Sequence, residues 1–532
     1  MKRLLALTML LLFSFAGLAQ FKKLAEGPEF DEPEDGFAKI IQLKNGNTLF
    51  LRIAVRKGIE VRLYDGAHHQ KAVKNLDPQY SAIKNKEVIG AFEINGNAVL
   101  MIGEIDDKTP VLYRIVIDGQ TGGLKSDEKI IQLVKYNYGR ELAVAFGHVP
   151  PADFYVRKDP FSDYYAVAIL NSFESDRNRR IEVIYFGPDN KEISRAYYAS
   201  PDNKYKYLLY LDMAVIGKEK LSILAEAYNT QASGGKESEL VLASLDAGSS
   251  TMSLDELPFS KDLTMRDGLA RYNPVTRQIL LLAVAQVDGK PHEYGTILAH
   301  IDPYAHKMVD ALPLFPQKVN EKCQEIFGKH NGFSGVPQNV FVNADGGFTL
   351  AYEEIVNVTQ RGSDYTEQYN DLGNIAVCQY DASGKELNAY LIPKNQRLYG
   401  YHLKPFYHSR REGTATELFR ANQYKSFAYL NGKETSYILF NDLERNGLTA
   451  QKGKITTIQG IAECDGFYFP LTGADMLPSR QFVFARPESR REHELAIFSI
   501  SDYDRERNVY VTLKLNKEGR SKEVNLIWMQ PG

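Results

Sequence analysis

Apolar and polar positions alternate in short runs along nearly the whole chain, and the runs come in fours. The most complete example lies between Gln338 and Gln396. Asn339 to Val342 is a short apolar run, and Phe348 to Ile355, Asn374 to Tyr380 and Glu386 to Ile392 follow as three more. Ala344-Asp345-Gly346-Gly347 and Asp381-Ala382-Ser383-Gly384 separate the first and last pairs as tight turns, because Asp and Gly accept the backbone angles that hairpins need. A long polar loop, Val356 to Leu372, separates the middle pair. Runs of this length and period predict strands of an up-and-down sheet.

The same pattern recurs at 37–76, 88–134, 154–198, 207–257 and 269–314, each time with a short turn near the end of the third run. A further unit begins at Ser426 to Phe440, and a last one spans Gln481 to Leu515. Ile455 to Gly473 either completes the former or begins a blade of its own, so the count is seven or eight. Helical periodicity is nearly absent; Glu321 to Phe327 is the one short helix candidate. Radial packing is the arrangement that buries so many four-stranded sheets while leaving only short protected edges. The expected fold is therefore all-β, a single β-propeller of seven or eight four-stranded blades. Closure of such a ring places Phe37 to Leu43 in the same blade as Gln481 to Leu515, or in the adjacent one.

In a four-stranded meander, alternate connections emerge on the same face. Most of the turns after first and third strands are short. The long segments are 171–179, 229–236, 356–372 and 443–454 within units, and 135–153, 316–337 and 393–423 between them. All of these fall on one face, which is where a rigid scaffold carries its binding loops.

Composition narrows the function without naming it. The chain has 532 residues, a net charge of -3, 44% hydrophobic and 25% charged residues, an ordinary globular balance. A near-neutral charge argues against nucleic acid as a partner, since phosphate contacts need a basic surface. The 32 Tyr and 27 Phe suit pleated, half-buried surfaces. Lys2 and Arg3, the apolar run Leu4 to Phe15, and the small residues of Gly17-Leu18-Ala19 read as a signal peptide over 1–19, cleaved after Ala19. Residues 20–36 are acidic, carry Pro28 and Pro33, and read as an extended leader, with the propeller domain over 37–530. No later run is long enough for a transmembrane segment, so the mature chain is expected to be exported, periplasmic or extracellular. Cys323, Cys378 and Cys464 are too few for a disulfide framework, although one pair is able to bridge.

The most aromatic and cationic stretch on the long-loop face runs from Gln396 to Arg411. Its candidate ligand contacts are Tyr399, Tyr401, Phe406, Tyr407, His408, Arg410 and Arg411, with rings supplying contact area and cations bonding oxygens. Glu353, Glu354 and Asp442, near the ends of second strands, are expected at its wall, where a carboxylate pair also suits hydrolysis. Specific catalytic signatures fail. His292-Glu293 and His493-Glu494 lack the second His of a zincin helix, Gly332 to Val336 lacks the final Gly of a nucleophile elbow, and Ser81 to Lys84 matches S-x-x-K without its companion motifs. No cofactor or metal motif is present.

Two stretches, GNIAVCQYDASGKELNAYLIPKNQ (373–396) and YKSFAYLNGKETSYILFNDLERN (424–446), resemble exported propeller-like proteins of Bacteroidota. The resemblance covers about the last third of the chain; it implies fold and export, and no reaction. The leading expectation is a non-enzymatic binding module for a protein or glycan of the cell envelope. The alternatives are a polysaccharide hydrolase or lyase using carboxylates on the same face, and a structural subunit of an envelope assembly.

Overall fold

The computed structural model describes residues 21–532 apart from 55–57, 79–85, 140, 142–150, 200–203, 230–236, 262, 287–293, 363–365, 474, 490–491 and 519–520. The signal-peptide reading, the Ser81 to Lys84 match and His292-Glu293 fall outside the described residues.

Eight antiparallel sheets form a ring, an eight-bladed β-propeller. Blades 1 to 7 cover 37–76, 86–132, 153–197, 207–257, 265–314, 336–392 and 428–482. Blade 8 combines 493–496, 509–518 and 521–530 with a strand from the other end of the chain. First strands of successive blades pack against one another around the central channel. They all run from the long-loop face to the short-turn face.

Burial explains the sequence pattern. Middle strands are covered by a neighbouring blade on each side, so Tyr165–Leu170 and Ile181–Phe186 are buried at every position and read as continuous apolar runs. Outermost strands face solvent on one side, and Gln70–Leu76 alternates accordingly. The recurrent Asp after third strands is an Asx turn. Asp381 Oδ1 accepts from the N–H of Ser383 at 2.9 Å and of Lys385 at 3.0 Å. Asp118 and Asp302 hold their turns in the same way. Gly384, at φ +85°, completes the Asp381 turn, and Gly346, at the same φ, the one before it.

The structure departs from the sequence pattern in four places. Val356 to Leu372 is not a loop: Phe348–Arg361 and Thr366–Tyr380 continue as one hairpin far beyond blade 6, paired from Ile355↔Leu372 to Arg361↔Thr366. The polar residues there are those of a projecting ribbon whose backbone is satisfied by its own ladder. Gln481–Phe482 is the outer strand of blade 7, not the start of the last blade. Ile455 to Gly473 takes the first of its two expected places, contributing Cys464–Pro470 to blade 7, and so is no departure. Among the short-turn connections, 471–480 and 497–508 are long.

The fourth departure is the leader, which closes the ring. Lys22–Glu26 pairs antiparallel with Ser521–Gln530 as the outer strand of blade 8. Phe21 is buried among Tyr437, Tyr468 and Tyr510 at ring distances of 5.1, 4.8 and 5.8 Å. Further along, Phe30 packs on Phe50 at 5.4 Å, with the Arg62 guanidinium 3.9 Å from its ring centre. Phe37–Gln42 does lie beside blade 8, as closure requires. Gln42 N–H donates to Asp502 at 2.7 Å, and across the same seam Trp528 Nε1 donates to Thr48 at 3.1 Å. His68 stacks on Trp528 at 4.9 Å. The predicted short helix spans Gln317–Phe327. All three cysteines are free and buried. No helix among the described residues is long and apolar enough to cross a membrane.

Candidate functional site: the crossover on the long-loop face

Blade 6 does not lead directly into blade 7. The intervening chain first adds a short strand, Gln396–Tyr399, to the projecting hairpin, in register from Leu372↔Gln396 to Tyr369↔Tyr399. It then enters the mouth of the channel as the helix Tyr407–Glu412 and pairs Thr416–Glu417 with Ala38 and Phe37 of blade 1. Bonds from this plug reach around the ring. Gly413 O accepts from Ala91 N at 2.7 Å, Glu412 O from Lys39 Nζ at 3.1 Å, and Thr416 Oγ1 donates to Ser499 O at 2.8 Å. Arg410 pairs with Asp267, Ser409 accepts from Arg271, and Glu412 accepts from Asn339.

The plug is anchored by residues that the sequence pattern offered as ligand contacts. Phe406 is 0% exposed in the core of blades 5 and 6, in the left-handed region at φ 60°. Tyr407 is buried; its hydroxyl bonds Glu353 Oε2 and Ser426 Oγ, each at 2.6 Å. Glu353 forms an ion pair with Lys394 at 2.6 Å, both side chains being fully buried. Burial lowers the Lys394 pKa, and Glu353 opposes that shift. His408 bonds Ser426 at 2.8 Å and lies 4.1 Å from the Phe427 ring. Burial, with Arg411 and Lys394 nearby, holds the imidazole well below its ordinary pKa and therefore neutral. Arg410 is engaged by Asp267; Arg411 lies over the Tyr407 ring.

The two other candidate carboxylates are also committed. Glu354 accepts from the N–H of Ser334 and Asn374 and from the Asn374 amide, fixing the entry to blade 6. Asp442 is buried against Arg480 at 2.7 Å and Asn446 at 2.7 Å. Burial raises its pKa, and Arg480 opposes that shift.

Tyr399 and Tyr401 stay accessible. The projecting sheet presents Tyr369, Asp371, Arg397 and Tyr399 on one side. Arg397 grips Asp371 at 2.8 and 3.0 Å and lies 3.9 Å over the Tyr369 ring. Tyr369 and Tyr399 rings are 6.5 Å apart, and Lys425 Nζ is 5.2 Å from Tyr399. Val356 beside them is 56% exposed, and Tyr401 at the end of the added strand is 88% exposed. The sequence reading took 356–372 as a loop, and so could not place Arg397, Tyr369 and Asp371 in one ladder.

Charged residues on first strands were missed as well. Asp212 holds Arg157 and, at 2.8 Å, Arg271, and accepts from Ala270 N at 3.0 Å. A lone charge inside the apolar run Tyr207 to Val215 was the available signal. Asp267 is raised to about 6, and Glu226, at the end of the second strand of blade 4 as the sequence placed it, to about 7; burial is the main cause for both, and Asp267 adds to the shift of Glu226.

The fold and this crossover define an eight-bladed propeller with a plugged channel and a projecting sheet on one face. No protein-family model matches the chain, and no curated protein does. Solved structures match in fold only. A polysaccharide lyase, Uly1, is 10% identical with a TM-score of 0.39, covering 84% of this chain and 90% of that one. Prolyl oligopeptidase B from Galerina marginata is 8% identical with a TM-score of 0.39, covering 93% of this chain and 55% of that one. The lectin BP39L from Burkholderia pseudomallei is 10% identical with a TM-score of 0.30, covering 68% and 99%.

Proposed function

We propose that this protein is an exported binding module of the cell envelope, taking a protein or glycan on the long-loop face through the projecting sheet of blade 6. One observation carries the reading: Tyr369, Arg397 and Tyr399 form a half-exposed ladder on a backbone-paired projection that the blade itself does not need. Rings on a rigid support supply contact area at low entropic cost, and a guanidinium beside them bonds carboxylate or hydroxyl oxygens. Support also comes from Glu353 and Asp442, whose oxygens serve buried ion pairs and so suit structure better than turnover. The test is capture from envelope extract and a glycan array with the mature chain. Tyr399→Ala and Arg397→Ala should each weaken binding by about 2 kcal/mol, as for an interface anchor, with thermal stability kept. Retention of full binding by both variants would remove the projecting sheet from the interface.

A second reading, polysaccharide hydrolysis or elimination, is favoured by Glu226 and Asp267 alone. Their raised pKa values, about 7 and about 6, are those of groups able to exchange protons near neutral pH. Turnover of a polysaccharide, lost in Glu226→Gln, would put this reading first.

A further inference from the structure

Beneath the plug the channel is not filled. A cavity of about 310 Å³ lies between the helix Tyr407–Glu412, the first strands of blades 1, 6 and 7, and the segment of blade 8 that follows its first strand, from Phe498 to Tyr503. A water occupies about 30 Å³ of the liquid, so the space is that of a small molecule and falls at the lower end of ligand-site volumes, roughly 300 Å³ and up. Its roof is the plug itself, through His408, Arg411 and Glu412. Its walls include Phe341 and Leu430, at the short-turn ends of their strands, and Asp502 and Tyr503 in the connection on that same face. These residues place the cavity toward the face opposite the projecting sheet.

The lining is specific in two respects. Phe341 and Tyr429 stack at 4.2 Å and offer a flat apolar surface, with Phe427 and Phe498 beside it. Above it, Arg411 brings a guanidinium that has no hydrogen-bond or ion-pair acceptor among the described residues, its contact being the Tyr407 ring at 5.6 Å. Other charges around the cavity are already held. Asp502 accepts from the N–H of Gln42 and Tyr503, Glu412 accepts from Asn339, and Lys39 spends one proton on Glu412 O. Burial raises the Asp502 and Glu412 pKa values and weakens their competition for a cation; it also lowers that of Lys39, a shift the two carboxylates oppose. Arg411 is half-buried and its guanidinium stays open to the cavity, where a carboxylate in its plane can take two parallel bonds.

We propose that this cavity binds a small ring-bearing carboxylate, with Arg411 as its bidentate partner, Lys39 as the second cation, and the Phe341–Tyr429 stack against the ring. The proposal is independent of the ligand on the long-loop face.

The experiment is calorimetric or saturation-transfer titration of the mature chain with benzoate and, separately, glucuronate. Each is raised to about 10 mM, above the roughly millimolar Kd that ligands of a dozen heavy atoms show. Saturable binding of at least one is expected, benzoate alone pointing to an aromatic acid and glucuronate alone to a sugar acid. The uncharged counterparts, benzamide and glucose, should bind at least about tenfold more weakly, since they lack the charge-assisted bonds. Arg411→Gln should cost about tenfold or more for the same reason. Ala428→Phe, which fills the cavity and removes no charge, should abolish binding. Tyr399→Ala on the other face should leave it unchanged, which separates this site from the one on the projecting sheet. The proposal is overturned if neither acid binds, if the uncharged counterparts bind equally well, or if Ala428→Phe or a folded Arg411→Gln binds like the parent.

Discussion

Phe406 distinguishes an anchored plug from a ligand-contacting loop. Its ring is fully buried among Leu269, Val340, Phe348 and Leu350, and its N–H donates to Pro337 O at 2.9 Å. An aromatic side chain buries about 150–250 Å², which at about 25 cal/mol per Å² amounts to about 4–6 kcal/mol. Truncation to Ala, which keeps a little of that area and leaves a cavity, should cost about 3–5 kcal/mol. The backbone adds a second, opposite signal. At φ 60° a residue with a Cβ is strained by about 1 kcal/mol, and Gly is not. Phe406→Gly should therefore be more stable than Phe406→Ala by about 1 kcal/mol, the reverse of their usual order. Urea denaturation followed by Trp528 fluorescence and by far-UV circular dichroism measures both. Trp528, the single tryptophan, sits in blade 8, far round the ring, so coincident transitions show that the plug and the ring unfold together. Tyr401→Ala, at an exposed position, should stay within about 0.5 kcal/mol of the parent. An unchanged midpoint for Phe406→Ala, or a Gly variant weaker than the Ala variant, would refute the anchoring argument.

Phe21→Ala should cost about 3 kcal/mol by emptying the aromatic pocket that seats the closing strand. Removing 21–31 should lower the melting temperature of the whole ring, and a truncated chain melting like the parent would rule out closure by this strand. Glu226 and Asp267 have folded pKa values raised to about 7 and about 6 from ordinary values of 4.5 and 3.8. The folded state holds those protons more tightly, so their contribution is fully present below the unfolded values and is lost as pH rises through about 6 to 7. Relative to the parent, Glu226→Gln should gain stability between about pH 5 and 8, read from urea midpoints across that range. A constant difference would contradict the shift. Burial pushes the Cys323 and Cys464 thiols up to about 12 and Cys378 higher still. A thiol-specific reagent at pH 8 should find none of them in the folded protein and all three after denaturation.

What the sequence determined by itself was everything that depends on neighbours along the chain. Strand runs, Asx turns such as Asp118 and Asp381, and the short helix near Glu321 are local, because a hairpin satisfies its backbone between residues a few positions apart. Repetition of that local unit was enough for a propeller and for which connections share a face, though not for the long connections 471–480 and 497–508 on the short-turn side. It was not enough to settle seven blades against eight. Gln481–Phe482 and His493–Ala496 are too short to declare their partners, and the strand that completes blade 8 lies some 500 residues away at the other end of the chain.

Tertiary structure alone decided which aromatic and charged residues are surface. Composition cannot tell Phe406 or Tyr407, drawn into the core by the crossover, from Tyr399 and Tyr401, left outside it five to eight positions earlier in the same stretch. Glu353 became the partner of Lys394 only because the strand end and the crossover meet, and a carboxylate buried without that ammonium would be too costly to keep. The same crossover turns Val356 to Leu372 from apparent loop into paired ribbon and roofs the cavity that Arg411 enters. Contacts across long sequence separations set burial, burial sets the cost of each polar group, and that cost separates a structural side chain from one left free to bind.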